Sequence, residues 1–161
     1  MVKTDFKGIS LEQAMSRVET LHLESVADWA AEKHGWYADR QATALKWYCR
    51  FLAMCAHKPN VGHLMHIDVD EMWHAHILHV GKYVRDCSIL LGKGWVLDHQ
   101  PVVRHNGADL SAYGQAYLRS LRDFRDAFGE EPPGATEIGP EGVAADQQIC
   151  FDSVISIEAA A

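Results

Sequence analysis

The sequence predicts an all-α protein, a compact bundle of four or five helices followed by a partly disordered acidic tail. Three observations carry this expectation. Apolar residues recur at helical spacing in four long stretches, strand-like alternation is confined to Ile149–Ile157, and the excess negative charge lies at the C-terminal end. The chain has 161 residues, 48% hydrophobic and 23% charged. That is an average globular composition, long enough to bury one core without disulfides or metal.

The elements follow in order. Ser10 and Gln13 form a capping box, and Leu11, Met15, Val18 and Leu21 share one face. The pattern resumes at Val26, Trp29, Ala30 and Lys33 and stops at Gly35, giving one long helix or two with a break near His22–Glu24. A further helix runs from about Ala38 to Ala56, with Ala42, Leu45, Tyr48, Cys49, Leu52 and Cys55 in one stripe. Pro59, Asn60 and Gly62 mark a loop. Asp68 and Glu71 read as a second capping box, opening a single helix to about Leu91 that ends at Gly92 and Gly94. Residues 93–108 read as a loop with Trp95, Val96 and Leu97 turned inward. The last helix, about Leu110 to Phe128, carries Leu110, Tyr113, Tyr117, Leu121, Phe124 and Phe128. Gly129 stops it, and Pro132 and Pro133 prevent its continuation.

The charge distribution divides the chain into a helical domain, 1–129, and an acidic tail, 130–161. The net charge is −7, yet residues 129–161 hold seven acids and no Lys, Arg or His, which leaves 15 acids against 15 bases in residues 1–128. A neutral body without a basic stripe argues against nucleic-acid binding. The tail is expected to be dispensable for folding. Its apolar stretch 149–157 is the part able to dock on the helices, and its acidic residues could bind a protein partner. No run is apolar and long enough to span a membrane, and the N-terminal residues do not read as a secretory signal. Cys49, Cys55, Cys87 and Cys150 contain no CxxC pair, so neither a zinc ribbon nor a disulfide framework is expected; reduced thiols in a cytoplasmic protein are.

Ten histidines, all within residues 22–105, are the unusual feature. On one continuous helix, Val69, Trp73, His76, Val80, Val84, Cys87 and Leu91 fall within about 80° of one another, so His76 sits inside the apolar stripe and Trp73 is a core anchor. Met72, His79, Tyr83 and Leu90 line one border, and Asp70, His74, Ile77, Gly81 and Ser88 the other. His76 and His79, at i and i+3, can share an ion, whereas His74 and His76 are about 200° apart. Asp70 and His74, at i and i+4, can form a carboxylate–imidazole pair that fixes the tautomer. Isolated buried histidines are usually hydrogen-bonded core residues. The density here favours a metal, because borderline metals prefer imidazole-rich sites.

Tyr48-Cys49-Arg50-Phe51-Leu52, then Val69-Asp70 leading to Trp73-His74-Ala75-His76-Ile77-Leu78-His79, then Tyr83, Asp86-Cys87, Leu91-Gly92 and His99-Gln100-Pro101, together resemble the glycine-rich domain-containing protein family. The resemblance covers roughly residues 40–103, with Asp70, Trp73, His74, His76, Tyr83, Cys87 and His99 at matching positions. The chain lacks the glycine-rich region of the longer members and resembles the short stand-alone bacterial form. That family often has Asp at position 79. The resemblance implies a helical module with a His-rich site and no defined reaction.

The reading that follows is a small helical metalloprotein, an Fe-, Cu- or Zn-dependent tailoring enzyme acting on a peptide or small molecule. His76, His79 and His99 are the expected ligands of one transition metal ion, with His74 in reserve. Asp70, His74, Tyr83 and Cys87 are the expected catalytic residues: Asp70 orients His74, and Tyr83 and Cys87 line the inner wall. The alternative is a non-catalytic interaction module whose histidines form a polar core network. Metal storage or sensing is disfavoured by the dispersed cysteines and methionines.

Overall fold

In the computed structural model, residues 5–101, 110–134 and 150–156 are described. The chain folds as a mainly helical bundle with a two-stranded ribbon on one side. The helices are α1 (Leu11–Glu19), α2 (Glu24–His34), α3 (Ala38–His57), α4 (Ile67–Leu78), α5 (Val80–Leu91) and α6 (Leu110–Phe128); the strands are β1 (Trp95–Pro101) and β2 (Cys150–Ser156). None of these helices is long and apolar enough to cross a membrane.

The ends of the first two helices follow local chemistry. Ser10 Oγ accepts from the Gln13 amide at 3.1 Å, which satisfies one of the N–H groups every helix start leaves open. The chain breaks at His22, which takes a positive φ of 52°, so α1 and α2 are separate helices. Gly35 closes α2 in the left-handed region at φ 67°, where a side chain would be strained. α3 is the central helix. Its second half, Phe51 to Ala56, is buried on every side, because α1, α2, α4, α5 and β2 all pack on it. Gly8 lets the N-terminal segment lie against the end of α3: Ile9 N–H donates to the Ala56 carbonyl at 3.1 Å, and a Cβ at residue 8 would collide with the His57 carbonyl.

Two expectations are corrected. The single helix predicted over 68–91 is two, and it begins at an N-cap His66 rather than Asp68. The break is at His79, φ −86° and ψ 60°. There the backbone N–H donates to His76 O at 3.0 Å instead of to Ala75 O, and the His79 Nδ1–H donates to the Ala75 carbonyl at 2.7 Å. The imidazole supplies the hydrogen bond that the helix ladder gives up. The wheel therefore restarts, and Val80 and Val84, placed by continuous periodicity in the buried stripe, are 63% and 43% exposed.

The second correction concerns residues 95–101, which form a strand and not a loop. Leu97 is buried, while Trp95 and Val96 are half-buried. The strand exists through its partner: β1 and β2 pair antiparallel, with His99 opposite Asp152 and Leu97 opposite Val154. An isolated pair of strands is marginal in water, but this one is held by α5 and α3, and Val154 is completely buried in the main core.

The described part of the tail packs on the helical body. Residues 150–156 dock, as the apolar stretch allows, and three of the acids have found partners, Glu131 among them with Arg125 Nη1 at 3.5 Å. Glu130 bridges Lys46 Nζ at 2.8 Å and Arg50 Nη2 at 3.1 Å, and these bonds pull its carboxyl pKa down to about 2. Asp152 is buried against His63. Residues 135–149 lie outside the described residues.

Candidate metal site

Helix α4 sets two ligand-type side chains on one face. Asp70 and His74 are one turn apart, and α4 is aimed by a bidentate pair from Arg40 to Asp68 at 2.8 and 2.9 Å. Strand β1 then brings His99 back over the same turn. His99 Nε2 lies 3.3 Å from Asp70 Oδ1, and His74 Nε2 lies 3.6 Å from Asp70 Oδ2. The two imidazole rings are 4.6 Å apart, centre to centre. One donor atom from each of the three residues falls within 4.8 Å of the other two. Asp70 Oδ2 is buried and has no hydrogen-bond partner among the described residues. A buried, incompletely bonded carboxylate facing two imidazole nitrogens is the donor set a divalent cation completes.

The surroundings hold this set in place. Glu71 Oε2 accepts from His34 Nε2 at 3.0 Å and lies 3.6 Å from His74 Nδ1, so His74 has a carboxylate on each side. Outer carboxylates of this kind orient a ligating imidazole. Trp73 packs edge-on against His99 at 4.4 Å between ring centres, and its Nε1–H donates to Tyr83 Oη at 2.9 Å. Tyr83 in turn donates to the Leu97 carbonyl, tying α5 to β1 two residues before His99. An open groove of about 650 Å³ borders the set. His74 and His99 form part of its wall, Ile77, Leu78, Val96 and Leu97 give it apolar sides, and Lys33 and Asp98 put one charge of each sign at it.

Of the residues chosen from the sequence, the structure brings together Asp70, His74 and His99. His76 and His79 do not join them. His76 is buried as expected, but its Nε2–H donates to Asp86 Oδ2 at 2.9 Å and its Nδ1 accepts from Tyr48 Oη at 2.8 Å. Both ring nitrogens are thereby used. Lys82 Nζ completes this network, 2.9 Å from Asp86 Oδ2 and 2.6 Å from the Leu21 carbonyl. His79 spends Nδ1 on the helix break and places its ring beside Trp29. Periodicity put His76 on the core side correctly. It could not show that a core partner would take both nitrogens.

Tyr83 borders the groove, and Cys87 is buried on α5. The Tyr83 hydroxyl accepts from Trp73 and donates to Leu97, and burial pushes its pKa far up. Burial also pushes the Cys87 thiol up to about 11, against smaller lowering effects from the Leu97 backbone and Tyr83. A thiol that remains protonated near neutral pH is no nucleophile. Sequence reasoning missed Glu71 and His34, and it missed Tyr48, Asp86 and Lys82 as partners of His76. Two of these had a signal, Glu71 three residues before His74 and Lys82 four before Asp86.

Comparison of the chain with protein-family models, curated proteins and solved structures found no match.

Proposed function

We propose that the protein is a metal-dependent enzyme in which Asp70, His74 and His99 hold one transition metal ion at the groove, with a small molecule or a peptide segment as substrate. The observation that carries this reading is the convergence of both imidazole Nε2 atoms on the Asp70 carboxylate beside an open, mostly apolar groove. Two histidines and one carboxylate on one side of an ion suit non-haem iron first, with zinc and copper as competitors. Three protein ligands leave coordination positions for water and substrate, and the ion would act there as a Lewis acid or redox centre. The chain's own residues supply the rest. Glu71 orients His74, Trp73 braces His99, and Ile77, Leu78, Val96 and Leu97 shed water from an apolar substrate part. We also propose kinship with the glycine-rich domain-containing proteins, on the Val69–His79 motif; that kinship names no reaction.

The interaction-module reading keeps one supporting observation: His76 is part of a closed polar network with Tyr48, Asp86 and Lys82. Metal analysis of untagged protein purified without chelator separates the two. The enzyme reading expects about one equivalent of iron, zinc or copper at this site. It also expects sharply reduced binding in His74→Ala and His99→Ala at unchanged helical content. Full-length protein that binds none of these metals, while remaining folded, refutes it.

A further inference from the structure

A second group of ligand-type side chains lies where α3, the loop after it and β2 meet. Cys55 from α3, His63 from the following loop and Asp152 from β2 are all buried. Cys55 Sγ is 3.9 Å from His63 Nδ1, and His63 Nδ1 is 3.3 Å from Asp152 Oδ2. One donor atom from each falls within 4.8 Å of the others. The other Asp152 oxygen accepts from the His63 backbone N–H at 2.5 Å, which fixes the carboxylate with Oδ2 facing the ring and the thiol. No Lys or Arg pairs with Asp152 among the described residues; its ion-pair partner is His63.

We propose that Cys55, His63 and Asp152 form a second metal site, a structural one that takes a zinc-type dication and pins β2 to the helical core. This proposal stands apart from the reading of Asp70, His74 and His99. Two arguments carry it. The first is charge. Without metal, the trio stays neutral only by protonating the carboxylate or the thiol–imidazole pair in a dry interior. A thiolate and a carboxylate around a dication sum to zero, and buried charges persist where they are paired or coordinate metals. The thiol proton leaves to solvent as the metal enters. The second is geometry. At ordinary zinc bond lengths, the 3.3 Å edge subtends about 105° at an ion and the 3.9 Å edge about 125°. Both angles suit a trigonal or distorted tetrahedral centre. Thiolate, imidazole and carboxylate together select zinc over the hard cations.

The position gives the site a role. Asp152 stands opposite His99 in the β ladder, and Asn60, three residues before His63, accepts from the Val154 amide at 3.0 Å. An ion here fastens β2 at the rung that carries His99, and so steadies β1 through the ladder. The test uses the full chain refolded with cobalt(II) as the probe. The expected result is a near-ultraviolet thiolate-to-cobalt charge-transfer band, retained in His99→Ala and lost in Cys55→Ser. Cobalt bound without that band, or a band that survives Cys55→Ser, overturns the proposal. Should Cys55→Ser fail to fold, Cys49→Ser, Cys87→Ser and Cys150→Ser must each keep the band, and its loss in any of them overturns the proposal equally.

Discussion

Replacing Trp73 tests the link between core and site, because one side chain serves both. Trp73 is 1% exposed, packs on Phe51 at 5.0 Å between ring centres, and braces His99 at 4.4 Å. Truncation to alanine removes an indole from a filled core, which costs roughly 3–5 kcal/mol. The lost bond to Tyr83 adds little, since Tyr83 loses only a donor and keeps its own acceptor, Leu97. For a chain of this size each kcal/mol moves the melting temperature by about 2–4 °C, so Trp73→Ala should melt about 6–20 °C lower. Trp73→Phe keeps the ring against His99 and loses the N–H bond, worth about 1 kcal/mol, plus part of the packing. Metal affinity should separate the variants too. Loss of support behind a ligand typically weakens binding 10–100-fold, and this is expected for Trp73→Ala and not for Trp73→Phe. Thermal melts by circular dichroism and metal titrations read both effects. A Trp73→Ala protein that melts within about 3 °C of wild type would falsify the packing argument; one that melts low but binds metal normally refutes the bracing argument.

Asp86 predicts an acid-side stability change. Burial pushes its carboxyl pKa up, but bonds from His76 and Lys82 and the charge of Lys82 outweigh that and hold it below the usual value. Its stabilising contribution is therefore present above about pH 4 and lost as pH falls through the depressed value. Denaturant melts of wild type and Asp86→Asn should differ at pH 7, and the gap should narrow progressively as pH falls below about 4 and through the depressed value; a gap independent of pH contradicts the assignment. Burial also raises the Cys49 and Cys87 thiols to about 11. Mass mapping after iodoacetamide treatment at pH 8 should leave both largely unmodified in the native state, and rapid labelling of Cys87 would restore its candidacy as a nucleophile. Deleting residues 150–161 removes the buried Val154 and Asp152 and unpairs β1. Fully burying a valine is worth about 1.5–3 kcal/mol, so this truncation should remain helical, lose stability by at least that much, and bind metal more weakly through His99. Unchanged melting on truncation would show that β2 contributes nothing to the core.

The sequence by itself determined most of the helical segments and their local stops. Ser10, Gly35 and Gly129 act within one turn of themselves, through a cap bond or a left-handed backbone, so local chemistry is enough to place them. It also determined that Asp70 faces His74, because i and i+4 are neighbours on any helix, and that Trp73 and His76 are internal. What depended on residues far apart in the chain only the tertiary structure decided. Whether the helix continues through His79 rests on a competition between the backbone N–H and the imidazole for the Ala75 carbonyl, and periodicity contains no term for that choice. The wheel read Val80 and Val84 as buried because it assumed that the ladder went on. The strand at 95–101 needed a partner about 55 residues later in the chain. Which histidines are available as ligands was settled by their competitors. Tyr48 and Asp86, 28 and 10 residues from His76, occupy both its nitrogens, while His99 reaches Asp70 across 29 residues. A pattern in sequence reports which face a side chain takes; only the folded chain reports what meets it there.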